Sequence, residues 1–108
     1  MTINDFLAIL PEARQWLIDQ GASTERTWPH TCALRYREKT LCPITMVAAY
    51  ISKGEYIIAN HRFEFAATLI DLKPEDALLI AESADGPRFP YQTALSESLK
   101  VICEEVVP

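Results

Sequence analysis

LCPITMVAAY, the stretch from Leu41 to Tyr50, decides how this chain folds. Cys42 and Pro43 open it and Ser52–Lys53–Gly54 closes it. Pro43 suits the first turn of a helix, where its missing N–H would have no partner and its fixed φ is already helical. The residues that follow are apolar on nearly every side: Leu41, Ile44, Met46, Val47, Ala48, Ala49, Tyr50 and Ile51. That pattern predicts a helix over 43–51 packed from several directions, with the other elements wrapped around it.

Towards the N-terminus, Thr2 is placed to cap a first helix and Asp5 sits in its first turn, where a negative charge suits the helix dipole. Ile3, Phe6, Leu7 and Leu10 share one helical face. Pro11 is expected to end or bend that helix near Leu10 and to start a second, from about Glu12 to Gln20, stopped by Gly21. The two halves can form one bent element. Ala13, Trp16 and Leu17 point inward, with Trp16 as a core anchor. Residues 22–30 read as a loop. From Thr31 to Arg37 the chain then alternates, Cys32, Leu34 and Tyr36 on one side and Ala33, Arg35 and Arg37 on the other. Pairing with the stretch around Thr24 to Trp28 gives a small β-hairpin near 24–37, and Glu38–Lys39–Thr40 leads into the central helix.

Beyond Gly54, Glu55–Ile58 is a connector. Asn60 is placed to cap a helix from His61 to about Leu72 carrying Phe63, Ala66, Ala67 and Ile70 inward. Pro74, Glu75 and Asp76 begin the next helix. Ala77, Leu78, Ile80, Ala81 and Ala84 are its expected core face, and Asp85–Gly86–Pro87 its stop. These two helices form an αα-hairpin. After the loop Arg88–Tyr91, Thr93 caps a final helix over 94–106 with Leu95, Leu99, Ile102, Cys103 and Val106 as its apolar stripe. The fold class is therefore mainly α: a compact bundle of about five helices around the helix at 43–51, with a small hairpin before it.

At 108 residues the chain has room for one core and one domain, 1–108. Hydrophobic residues at 49% and charged ones at 23% are a globular balance rather than a disordered one. No apolar run approaches the roughly 20 residues that cross a bilayer. MTINDFLAIL has an acid where a signal peptide carries basic residues and no small-residue cleavage site, so the expected location is the cytoplasm. Three cysteines without tight spacing (Cys32, Cys42, Cys103) do not make a disulfide framework and read as small buried hydrophobes.

The net charge of −5 is unevenly spread. Arg26, Arg35, Arg37 and Lys39 stand against Glu38 alone. From Asp71 to Glu105 the acids are Asp71, Glu75, Asp76, Glu82, Asp85, Glu97, Glu104 and Glu105, against Lys73, Arg88 and Lys100. A solvated surface explains such a distribution. An acidic face meeting a basic surface on a partner explains it as well.

Between Cys42 and Gly86 the chain resembles a pattern found in short, uncharacterised proteins of bacteria and their phages. A Cys-Pro-apolar-Thr-x-apolar-Ala helix start is matched by Cys42, Pro43, Ile44, Thr45, Val47 and Ala48. An aromatic-x-x-Ala-Ala helix is matched by Phe63, Ala66 and Ala67, and an ending of Ala-x-x-Ile followed by Ala-Asp-Gly/Asn by Ala77, Ile80, Ala84, Asp85 and Gly86. The resemblance covers less than half the chain, and Asp71 stands where such proteins usually have a glycine between the two later helices. It implies an architecture and a phage or mobile-element origin. It supplies no catalytic residue.

Several constellations could carry chemistry. Cys42, at a helix N-terminus that favours thiolate, could act as a nucleophile with His30 or His61 as base and Glu64 or Asp71 beyond, yet no protease-like signature surrounds it. His30, Cys32, Cys42 and His61 have ligand chemistry for zinc without the usual paired spacing. Carboxylate pairs are available, as on any acidic helix. Three glycines make no phosphate loop. Arg35 and Arg37 could touch phosphates, but in an acidic protein they more readily solvate the hairpin. Tyr56, Phe89 and Tyr91 are connector aromatics that suit an interface or cover helix ends.

No chemical motif outweighs its structural explanation, so the reading is of a protein that is not an enzyme and uses no cofactor or metal. The function expected is binding and inhibition of a bacterial host defence complex, of the anti-CRISPR type, through an acidic helical surface of Asp71, Glu75, Asp76, Glu82 and Asp85. The partner would be a bacterial protein or nucleoprotein complex, with no membrane and no direct nucleic-acid contact. Tyr56–Ile58 leaves a homodimer open. The alternatives are a small thiol-dependent enzyme using Cys42, or a nucleic-acid binder using Arg35 and Arg37.

Overall fold

The structure, a computed structural model, describes residues 1–24, 34–53, 63–84 and 93–105. Their elements run α1 (Ile3–Asp19), β1 (Ser23–Thr24), β2 (Leu34–Tyr36), β3 (Lys39–Leu41), α2 (Pro43–Ile51), α3 (Phe63–Leu69), α4 (Pro74–Ala84) and α5 (Thr93–Glu105). The mainly helical reading holds. The radius of gyration, 12.5 Å, fits a folded chain of this length.

α2 is the centre. Each residue from Pro43 to Ala49 is buried, leaving no solvent face for about two turns. α1, α3, α4 and β3 all contact it. Small Ala48 and Ala49 let neighbours approach closely, while Ile44, Met46 and Val47 fill the space between them. The Thr45 hydroxyl, buried inside an apolar helix, donates to the carbonyl of Cys42 at 2.8 Å and so satisfies itself locally.

α1 begins on the cap expected for it. The Asp5 N–H donates to Thr2 Oγ1 at 3.1 Å and the Thr2 N–H donates to Asp5 Oδ2 at 3.2 Å, a reciprocal capping box. Pro11 does not divide the element: one helix runs through it. The proline costs the hydrogen bond to the carbonyl of Leu7. Phe6, Leu10, Ala13 and Leu17 nevertheless form an unbroken buried stripe at helical spacing, and packing that stripe on α2 outweighs one missing bond. Gly21 ends the helix at φ 105°, with its N–H donating to Ile18 O at 3.0 Å and that of Ala22 to Leu17 O at 2.9 Å.

Among the described residues the sheet has three antiparallel strands in the order β1-β2-β3. β1 pairs with β2 through Ser23↔Arg35 and Thr24↔Leu34, the hairpin pairing read from the sequence. β3, read there as a simple lead-in, is a third strand paired through Leu34↔Leu41 and Tyr36↔Lys39. Arg37 and Glu38 form the two-residue turn between β2 and β3, at φ 51° and 66°. Arg37 therefore does not extend the strand as expected. Leu34, Tyr36 and Leu41 are buried and Arg35 is exposed.

α3 buries Ala66 and Ala67, and Ile70 and Leu72 follow them into the core. It is described from Phe63, and the Asn60 expected to cap it lies outside the described residues. It ends as α1 does: the Asp71 N–H donates to Thr68 O at 3.1 Å and that of Leu72 to Ala67 O at 2.9 Å, with Asp71 at φ 57°. α4 starts at Pro74 and buries Ala77 and Ile80. Leu78, expected in the core, is instead 53% exposed, because the inward arc of α4 is filled by residues at 77 and 80. α5 begins at Thr93, the residue expected to cap it, and packs Leu99 and Cys103 into the core.

Two core features were not anticipated. Arg14 is fully buried, its Nη2 donating to Cys103 O at 3.4 Å and its Nη1 lying 3.7 Å from Met46 Sδ. Burial pulls its guanidinium well below the usual arginine range, to about 10. Cys103 is buried as expected, but it is disulfide-bonded rather than a free hydrophobe. Sequence spacing could not reveal that, since a pairing depends on what the fold brings together.

Candidate functional site

α4 presents the acidic residues in register. Glu75 and Glu82 are seven positions apart, nearly two full turns, so they lie on one side of the helix with Leu78 between them. Glu75 is exposed, Glu82 half-buried and Leu78 exposed. Asp76 is rotated about 100° from Glu75 and is half-buried at the edge of the core face. Asp85 lies outside the described residues.

Asp71 lies three residues before α4. It occupies the left-handed position of the α3–α4 turn, and its carboxylate is fully exposed. Its carbonyl accepts a 2.7 Å hydrogen bond from the Met1 ammonium, which lies 3.9 Å from the carboxylate Oδ2. The structure therefore brings Glu75, Leu78 and Glu82 into one strip, places Asp71 just before α4, and sets Asp76 beside it. Sequence reading missed Leu78 as part of this surface. The signal was present in its spacing to Glu75 and Glu82.

α3 adds apolar surface of its own: Phe65 and Leu69, one turn apart, are 51% and 43% exposed.

The other candidates are less assembled. Cys42 is the N-cap of α2, half-buried and a free thiol, with the Thr45 hydroxyl 3.5 Å from its Sγ. The bases considered for it, His30 and His61, lie outside the described residues, as does Cys32; the side chain of Glu64 is likewise not described. Among the described residues, no group of three His, Cys, Asp or Glu is gathered to hold a metal ion. Arg35 and Arg37 do not share a strand face: Arg35 is on β2, while the Arg37 guanidinium lies over the Tyr36 ring, 5.1 Å from its centroid. Tyr56, Phe89 and Tyr91 lie outside the described residues. Among the described residues no helix is long and apolar enough to cross a membrane.

No protein-family model, curated protein or solved structure was found to match this chain.

Proposed function

We propose that this is a non-enzymatic binding protein, of phage or mobile-element origin, that inhibits a bacterial defence complex of the anti-CRISPR type. Its acidic helical surface would occupy a basic nucleic-acid channel on that complex. The observation that carries the reading is the strip Glu75–Leu78–Glu82 on α4, an exposed leucine between two carboxylates. Exposed apolar area supplies contact free energy, and flanking acids select a basic partner and speed encounter. The net charge of −5 favours the same class of partner. Origin and target class rest on the resemblance to phage-associated proteins and on analogy.

The test is capture of tagged protein with a purified defence complex, repeated with Glu75→Lys, Asp76→Lys and Glu82→Lys combined. Loss of capture, with circular dichroism and melting unchanged, supports the acidic surface. Competition by the complex's own nucleic acid places the contact in its channel. Unchanged capture by the triple variant removes the mechanism.

A thiol-dependent activity keeps one supporting observation, the free, half-buried Cys42 at the start of α2. Selective alkylation of that thiol near neutral pH would favour it over the binding reading.

A further inference from the structure

Away from the acidic strip, α1 and the end of α2 build a corner from two aromatic rings. Trp16 and Tyr50 lie with ring centroids 6.0 Å apart and planes 63° to one another. Both rings are half-buried, so each has a packed side and a wet side. Lys53, exposed just after α2, places its ammonium 4.7 Å from the Tyr50 centroid and 5.9 Å from that of Trp16. Glu12, one turn before Trp16 on α1, reaches the Tyr50 hydroxyl at 3.5 Å from its Oε2. A cation at that point lies over two negative ring faces, the arrangement that attracts alkylated ammonium groups, and the Glu12 carboxylate accepts from the hydroxyl of one of those rings.

The occupant of the corner is unusual. Lys53 sits at φ 56°, the left-handed position after a helix where glycine is the favoured residue. Glycine there would ease the backbone but leave the corner without a charge. Lys53 thus works as a resident cation on a short tether. It is exposed and ends in a flexible side chain, so it can leave the rings without disturbing the core.

We propose that Trp16 and Tyr50, the latter held at its hydroxyl by Glu12, form a binding site for an alkylammonium group, which Lys53 occupies in the free protein and an incoming cation displaces. The ligand is either a small quaternary ammonium compound or a lysine side chain presented by a basic protein. The site is independent of the acidic-strip reading, because none of its residues belongs to that strip.

The experiment follows Trp16 fluorescence in a Trp28→Phe background, so that one indole reports. Tetramethylammonium and a tetralysine peptide are each titrated against sodium chloride of matched ionic strength. Lys53→Gly suits the left-handed backbone and empties the corner; it should bind roughly two- to thirty-fold more tightly than the parent protein, the range that loss of a competing cation–π contact allows. Adding Tyr50→Leu to Lys53→Gly should abolish the saturable response. Response to tetramethylammonium alone identifies a small-molecule site, and response to tetralysine alone a protein ligand. Absence of a saturable response to both probes in Lys53→Gly overturns the proposal, as does one that survives Tyr50→Leu. A melting curve of each variant separates loss of binding from loss of fold.

Discussion

Arg14 and Cys103, 89 positions apart in sequence, meet in the core, where the guanidinium of α1 donates to a carbonyl in the last turn of α5 at 3.4 Å. The end of a helix carries partial negative charge, and a cation there offsets both an open carbonyl and the dipole. This contact joins the first and last helices of the chain. Arg14→Ala removes it and leaves a cavity, so the expected loss is about 2–5 kcal/mol, the range for deleting long buried side chains. Urea unfolding measures it. The sign of any pH effect is also fixed. The folded guanidinium gives up its proton more readily than the unfolded one, so the burial cost is fully present below about pH 10 and is relieved only above it. The difference between Arg14→Ala and the parent should therefore be flat at neutral and mildly acid pH.

The capping box gives the opposite kind of dependence. The Thr2 backbone N–H, and then its hydroxyl, hold the Asp5 carboxyl below its ordinary 3.8. A depressed carboxyl stabilises the fold above its unfolded value, and the contribution disappears as pH falls through the lower folded value. Melting curves of the parent and Asp5→Asn should diverge above pH 3.8 and converge in stronger acid. Parallel curves across that window would show that the charge of the Asp5 carboxylate adds nothing to the cap.

Asp71 offers a way to separate stability from charge. It holds φ 57° at the end of α3, in a motif that Gly21 completes at the end of α1 with no side-chain penalty. Asp71→Gly should raise stability by about 1 kcal/mol, the cost of a left-handed non-glycine residue. The carbonyl that accepts the Met1 ammonium is retained. If the acidic surface binds a basic partner, the same variant should bind more weakly while melting higher, a pairing that a merely damaged fold cannot produce.

The turn between β2 and β3 can be improved in the same way. Arg37 and Glu38 both have positive φ in a two-residue hairpin loop, a geometry that Asn-Gly adopts far more easily. Arg37→Asn with Glu38→Gly should stabilise by about 1–2 kcal/mol, read as a higher urea midpoint with an unchanged slope. A lower midpoint would mean that the Arg37–Tyr36 ring contact matters more than the backbone strain.

What could be read from the sequence follows from where the information is local. Pro43 and the apolar run after it mark α2 to the residue, and Thr2, Gly21 and Pro74 mark other helix boundaries, because each acts through its own backbone. β3 escaped notice since Lys39–Thr40–Leu41 is too short to alternate and its turn lacks the glycine or asparagine that signals a hairpin. Continuity through Pro11 depends on tertiary packing, which no local rule reports. Leu78 is apolar and sits beside Ala77, which drew it into the expected core face; its helical spacing to Glu75 and Glu82 was the signal that it faces water. The Trp16–Tyr50–Lys53 corner joins two helices distant in sequence, and nothing in the spacing of those residues announces it.

The burial of α2 on every side bears on how the chain is made. Its partners lie on both sides of it in sequence: α1 and β3 before, α3 and α4 after. When Ile51 leaves the ribosome, the earlier partners are already available, whereas the part of the surface covered by α3 and α4 has nothing to pack against. At roughly 5–20 residues per second the wait lasts a few seconds. During it that part of the apolar surface of α2 faces water in an unfinished chain, open to chaperones and to other nascent copies. The element that the finished molecule packs from every side thus waits, during synthesis, for part of its cover.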